Sequence, residues 1–184
     1  MKNSFFSTKT IVATGLGAAL FMVLFMFVKV PSPIPETNLQ IAYGVSAFLG
    51  ALFGPICGFL TAFIGHALSD FISYGSPWWS WVIASGVAGI FSGLAFFTLQ
   101  SDRGKINTKS LVKFVALNIV GNFVAWVGVA PVLDIVIYAE PSNLVFTQGL
   151  IAFVMNALCS CIIGGALLLT YSATRTDKGS LAKE

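Results

Sequence analysis

Residues 10–28 read TIVATGLGAALFMVLFMFV, an unbroken apolar run closed by Lys29 and by Val30-Pro31-Ser32-Pro33-Ile34-Pro35, a segment that cannot continue a helix. Crossing the hydrocarbon core of a bilayer takes a helix of ~20 mainly apolar residues, and this run supplies that length. Lys2 and Lys9 ahead of it resemble the start of a signal peptide, but the run is too long for one and is expected to remain as a span. The pattern recurs along the chain. Apolar blocks follow at 39–53, 56–72, 78–99, 111–130 and 144–171, separated by a proline-rich loop, a turn at Gly54-Pro55, the segment Ser73 to Pro77, the polar stretch 101–109 and a loop bracketed by Pro131 and Pro141. With 57% hydrophobic and 9% charged residues, the chain is expected to be an all-α integral membrane protein, with six transmembrane helices forming one domain over residues 1–184.

Charge gives the orientation. On alternate sides of six spans, Lys2, Lys9, Arg103, Lys105, Lys109, Lys113, Arg175, Lys178 and Lys183 fall together, and Lys29 stands alone on the other side. Loops rich in Lys and Arg stay inside, so both termini are expected in the cytoplasm and the chain in the cell membrane. Glu36, Asp70, Asp134 and Glu140 lie at the opposite, extracellular end. Membrane topology accounts for the net charge of +3, and no basic face or recognition module points to nucleic acid. The absence of an internal repeat disfavours an inverted-repeat transporter.

The motifs of hydrolytic and metal chemistry are missing. There is no GxxxxGK[ST] phosphate loop, no HExxH and no GxSxG, and a single histidine rules out a multi-histidine metal site. No cofactor is expected, and any pumping would draw its energy from elsewhere. Cys57, Cys159 and Cys161 lie in apolar blocks, and Cys159 and Cys161 on one helix point about 200 degrees apart, so they suit neither a disulfide nor a metal cage and read as small buried residues.

Polar residues inside the spans are the candidates for a site. Asn118, Asn122 and Trp126 recur every four residues and so share one helix face. Asn156 sits mid-way along the sixth block and Gln148 nearer its outer end. Amides in hydrocarbon need partners, which are neighbouring helices or a bound polar molecule. His66 and Asp70 stand four apart and can pair, and intramembrane ionisable groups are functional candidates; Asp70 equally suits ordering the loop that follows it. Trp78, Trp79 and Trp81 suit either an interfacial belt or a lid that stacks on a flat ring. Ala13 with Gly17, and Gly15 with Ala19, form small-xxx-small pairs on the first span, a surface for close approach by a helix of the same or another chain.

The phrases FIGHALSDF at 63–71 and YGSPWWSWVI at 74–83, with the six spans, the small-residue first helix and the proline-rich first outer loop, make the chain resemble the substrate-capture (S) component of an energy-coupling factor (ECF) transporter. Within that group it is most similar to a membrane family linked to hydroxymethylpyrimidine, a thiamine precursor, and the resemblance covers almost the whole chain. It implies vitamin binding near the extracellular side among helices four to six, capped by residues 29–38 and 73–77. It also implies contact between the first helix and a membrane coupling (T) subunit, two ABC-type ATPases that complete the complex, and a subunit that topples in the membrane to deliver its cargo. The coupling motif of that group is AxxxA, and here Ala13 with Gly17, or Gly15 with Ala19, stands in its place. Trp79, Trp126, Asn118, Asn122 and Asn156 offer the stacking and polar groups a small aromatic vitamin requires. Two other readings stand beside this one: a self-sufficient proton-coupled transporter using His66 and Asp70, and a membrane enzyme or scaffold in which the amides and tryptophans only pack.

Overall fold

A computed structural model describes residues 7–32, 34, 37–101 and 106–174. Lys2, Glu36, Arg103, Lys105, Arg175, Lys178 and Lys183, which entered the charge argument, lie outside the described residues. Seven α-helices and one two-stranded ribbon make up the described fold. Helix α1 (Thr8–Phe27) begins where the Ser7 hydroxyl accepts the Thr10 amide at 3.2 Å. Strands β1 (Lys29–Pro31) and β2 (Asn38–Gln40) then pair antiparallel, with Lys29 opposite Gln40. Helix α2 covers Ala42–Phe53. The apolar block from residue 39 is thus not helical throughout: its first two residues extend the ribbon, and the twelve-residue helix that remains is about 18 Å long, short of a ~30 Å core.

Gly54 (φ 101°) makes the reversal into α3 (Pro55–Tyr74), and Pro55 occupies the first turn, where its missing N–H costs nothing. Gly58 of α3 and Gly89 of α4 (Trp79–Ser101) abut through bare backbone, so a Cβ at either would strike the carbonyl of the other. Such close approach suits helices that have no hydrophobic force between them in lipid.

A continuous helical stretch runs through α5 (Thr108–Phe123), a π-helical segment (Val124–Val129) and α6 (Ala130–Tyr138). Pro131 therefore lies inside a helix and does not open the loop expected of it. The π segment has already displaced the hydrogen-bond ladder, so Pro131 takes a first-turn position of α6, where no intrahelical N–H is required. The turn is confined to Ala139, Glu140 and Pro141, with Ala139 left-handed at φ 56°. Helix α7 (Ser142–Thr174) is about 50 Å long and outreaches a bilayer core.

Helix α2 is enclosed by α1, α3, α4 and α7. Among the described residues, five helical stretches are long and apolar enough to cross a membrane, and α2 is a sixth, shorter apolar helix. Large apolar side chains cover the outside, among them Ile11, Leu16, Phe27, Val136 and Ile162, as a lipid-facing surface requires. The chain is a multi-pass membrane protein. The ribbon, the α3–α4 loop and the α6–α7 turn lie at one end, hereafter the ribbon end, with Lys29; Lys9, Lys109 and Lys113 lie at the other.

Candidate functional site: an aromatic and polar cluster at the ribbon end

Aromatic side chains from four helical elements meet at the ribbon end. Phe21 and Phe25 of α1 stack with centroids 5.5 Å apart, and Tyr43 of α2 meets them edge-on at 5.3 and 6.0 Å. Tyr43 also packs edge-on against Trp126 at 5.3 Å, and Trp126 stacks on Trp81 at 5.5 Å with 29° between the planes. Trp126 belongs to the π segment, a distortion that recurs at functional sites because it re-aims the side chains it carries. Gly149 of α7 leaves room for the Trp126 carbonyl and the Pro131 ring, which a side chain there would displace.

A polar chain runs beside these rings. The Tyr43 hydroxyl lies 2.8 Å from Ser85 Oγ, Ser85 Oγ lies 2.6 Å from His66 Nδ1, and His66 Nε2 lies 3.4 Å from Asp70 Oδ1. Ser85 has one proton to give, and the Trp81 carbonyl at 3.0 Å competes for it. When Tyr43 donates to Ser85, Ser85 to His66 Nδ1 and His66 Nε2–H faces Asp70, the donors all point one way and end on the carboxylate. The other oxygen of Asp70 accepts the Trp78 amide at 3.0 Å, so Asp70 also orders the loop after α3. The His66 ring sits 4.3 Å from Phe25, which joins the polar chain to the aromatic cluster.

Asp134 is a second anchor. Its buried carboxylate accepts Trp78 Nε1 at 2.7 Å, Trp81 Nε1 at 2.6 Å and the Ser80 hydroxyl. Trp78 stacks on Tyr138 at 4.4 Å, and the Tyr138 hydroxyl accepts the Trp79 amide at 3.1 Å. The α3–α4 loop is thereby fastened to α6, and the Trp81 ring is held against Trp126.

The residues singled out from the sequence divide. Asn118, Asn122 and Trp126 do form one stripe, and its hydrogen bonds are internal. Trp126 Nε1 donates to Asn122 Oδ1 (2.9 Å), Asn122 Nδ2 to the Asn118 carbonyl (2.8 Å), Asn118 Nδ2 to the Phe114 carbonyl (2.9 Å), and Ser92 to Asn118 Oδ1 (2.7 Å). Asn156 is buried on α7 and its Oδ1 has no partner among the described residues; the same holds for Gln40 Oε1 at the end of β2. Gln148 is half-buried near the start of α7. Trp79 is exposed, with its ring 6.2 Å from Phe63, outside the buried cluster to which Trp81 belongs. On α1, Gly17 packs internally against Leu49 and Thr61 and Ala13 is half-buried, whereas Gly15 and Ala19 are exposed and a Cβ on Gly15 would meet nothing.

Sequence reasoning passed over Tyr43, Ser85 and Gln40 and counted Asp134 only as an outer charge. Asp134 did carry a signal: it is the one charged residue between Lys113 and Glu140.

Comparison with known proteins bears on the same chain. A family model described as "ECF-type riboflavin transporter, S component" matches residues 5–173. Among similar proteins, one from Lactiplantibacillus plantarum, named "UPF0397 protein", is 48% identical over 178 residues, covering 97% of this chain and 96% of that protein. A protein of the same name from Streptococcus gordonii is 49% identical over 179 residues, with 97% and 96% covered. Another, from Lactococcus lactis subsp. cremoris, is 46% identical over 184 residues, with both chains covered in full. With nearly its whole length matched, the chain belongs to the S-component family of ECF-type transporters, which are transporter subunits and not enzymes.

Proposed function

We propose that this chain is the substrate-binding subunit of an ECF-type vitamin importer in the bacterial plasma membrane. It captures a small aromatic vitamin or precursor, hydroxymethylpyrimidine being the preferred candidate, and works with a membrane coupling subunit and two ABC-type ATPases. The observation that carries this reading is the cluster at the ribbon end, where Tyr43, Trp81 and Trp126 offer ring faces and edges beside buried polar groups. A site for a flat heterocycle combines apolar rings with a few oriented polar groups. Six spans with both termini in the cytoplasm put the ribbon end outside, facing the incoming solute, and the sidedness of Lys9, Lys109 and Lys113 against Lys29 supports that orientation.

The coupling subunit docks on the outward face of α1. Gly15 and Ala19 are exposed, whereas Gly17 already packs against α2 and α3, so the register Gly15–Ala19 suits a partner helix better than Ala13–Gly17. Native mass spectrometry of the detergent-purified protein tests the assignment. Release of a pyrimidine from the folded chain is the expected result, and release of a flavin redirects the substrate to the vitamin named in the family description. A chain that releases no ring and copurifies with no ATPase overturns the reading.

A second reading has one observation in its favour: the donor chain from Tyr43 through Ser85 and His66 to Asp70 suits a proton path in a self-sufficient transporter. Asp70 is also committed to the Trp78 amide, which favours an ordering role. Substrate uptake into ATP-free vesicles under a proton gradient would support the second reading over the first.

A further inference from the structure

Gln40 Oε1 and Asn156 Oδ1 are buried, each residue being at most 6% exposed, and accept no hydrogen bond among the described residues. An unpaired amide oxygen in a low-dielectric interior is costly, so a native fold that keeps two of them calls for an explanation. Asn118 and Asn122 differ, since their oxygens accept Ser92 and Trp126 and their nitrogens bond back to their own helix.

The two orphans lie on elements that pack together, β2 and α7. Gly44 packs on the Cys159 carbonyl and Ile163, Gly164 meets Ala47, and Phe48 meets Tyr171, so α2 and α7 descend side by side from the ribbon end. Gln40 ends β2, just ahead of α2, and one turn back from Cys159 on α7 is Asn156. Residues 156, 159 and 163 share a helix face by their spacing, which turns Asn156 toward β2 and α2, and β2 packs on α7. Tyr43, three residues after Gln40, carries the ring that meets Trp126.

We propose that Gln40 and Asn156 are the polar clamp of the substrate site. Their amide oxygens receive N–H or O–H donors of a flat ring that packs against Tyr43 and Trp126, while Asn118 and Asn122 hold Trp126 in position and do not touch the ligand. The inference rests on the substrate-capture reading and narrows it: the cargo is a small heterocycle bearing amino or hydroxyl donors on its rim, and rings without such donors bind poorly.

The test uses the full chain in detergent with two probes, 4-amino-5-hydroxymethyl-2-methylpyrimidine and the donor-free 2,5-dimethylpyrimidine, titrated calorimetrically into wild type, Gln40→Leu and Asn156→Leu. Thermal unfolding without ligand is recorded in parallel. The expected result is a wild type that prefers the donor-bearing ring and loses at least tenfold in affinity for it in either variant. Unliganded midpoints stay level or rise, because an unpaired buried acceptor has been replaced by an apolar side chain of similar size. Variants that bind as tightly as wild type overturn the clamp and leave the capture reading standing. Midpoints that fall by several degrees in both variants overturn it too, by showing that the amides hold the fold. A wild type that binds neither ring overturns both the clamp and the pyrimidine assignment.

Discussion

At the residue scale, Asp134 makes the sharpest prediction. Two part-buried indole N–H groups and the buried Ser80 hydroxyl end on its carboxylate, and removing that acceptor strands the Ser80 donor at a cost of roughly 1–3 kcal/mol and the indoles at less. Asp134→Leu is expected to lower the unfolding midpoint sharply, and Asp134→Asn, which keeps one acceptor oxygen, to lower it less; thermal melts of the two variants give the order. Ser85 is the node of the other network. Ser85→Ala is expected to destabilise by about 1–3 kcal/mol and Tyr43→Phe, which removes a single donor, by about 1 kcal/mol, as read from denaturant or thermal unfolding. A Ser85→Ala protein as stable as wild type would refute the network. The stripe Asn118, Asn122 and Trp126 was legible in the sequence because a helix brings i and i+4 together locally. Ser85 was not, because its partners lie 42 and 19 positions away, and a lone serine in an apolar run carries no periodicity to reveal them.

At the scale of elements, the π segment sets the rotation of α6 against α5. Each residue in a helix turns the chain by about 100 degrees, so deleting Gly128, against which nothing packs, would restore an α-helical ladder and swing Asp134 away from Trp78, Ser80 and Trp81. The deletion is expected to leave a folded helical protein whose α3–α4 loop exchanges its amide hydrogens faster. Unchanged exchange at residues 75–79 would show that the loop does not depend on this register. The long spans were legible from their apolar length. The ribbon, the late start of α2 and the helical position of Pro131 were not, since strand pairing across the proline-rich loop and a shifted hydrogen-bond ladder leave no mark in hydropathy. Proline reads as a stop unless the preceding turns have already freed its donor position.

For the molecule as a whole, the two faces of α1 separate folding from assembly. Gly17→Leu drives a side chain into Leu49 and Thr61 and is expected to lower stability. Gly15→Leu points outward and is expected to leave the isolated subunit's midpoint within about 0.5 kcal/mol of wild type while cutting its recovery with the coupling subunit. Equal recovery of both proteins in a pull-down would remove this face from the interface. Another asymmetry lies in the tryptophans. The chain has four, Trp78, Trp79, Trp81 and Trp126, and all stand at the ribbon end. Fluorescence excited selectively in tryptophan therefore reports on that end alone. With Trp81 and Trp126 stacked at 5.5 Å, their electronic transitions couple, so a near-ultraviolet dichroism signal that collapses when a solute parts the two rings would record pocket occupancy without any label.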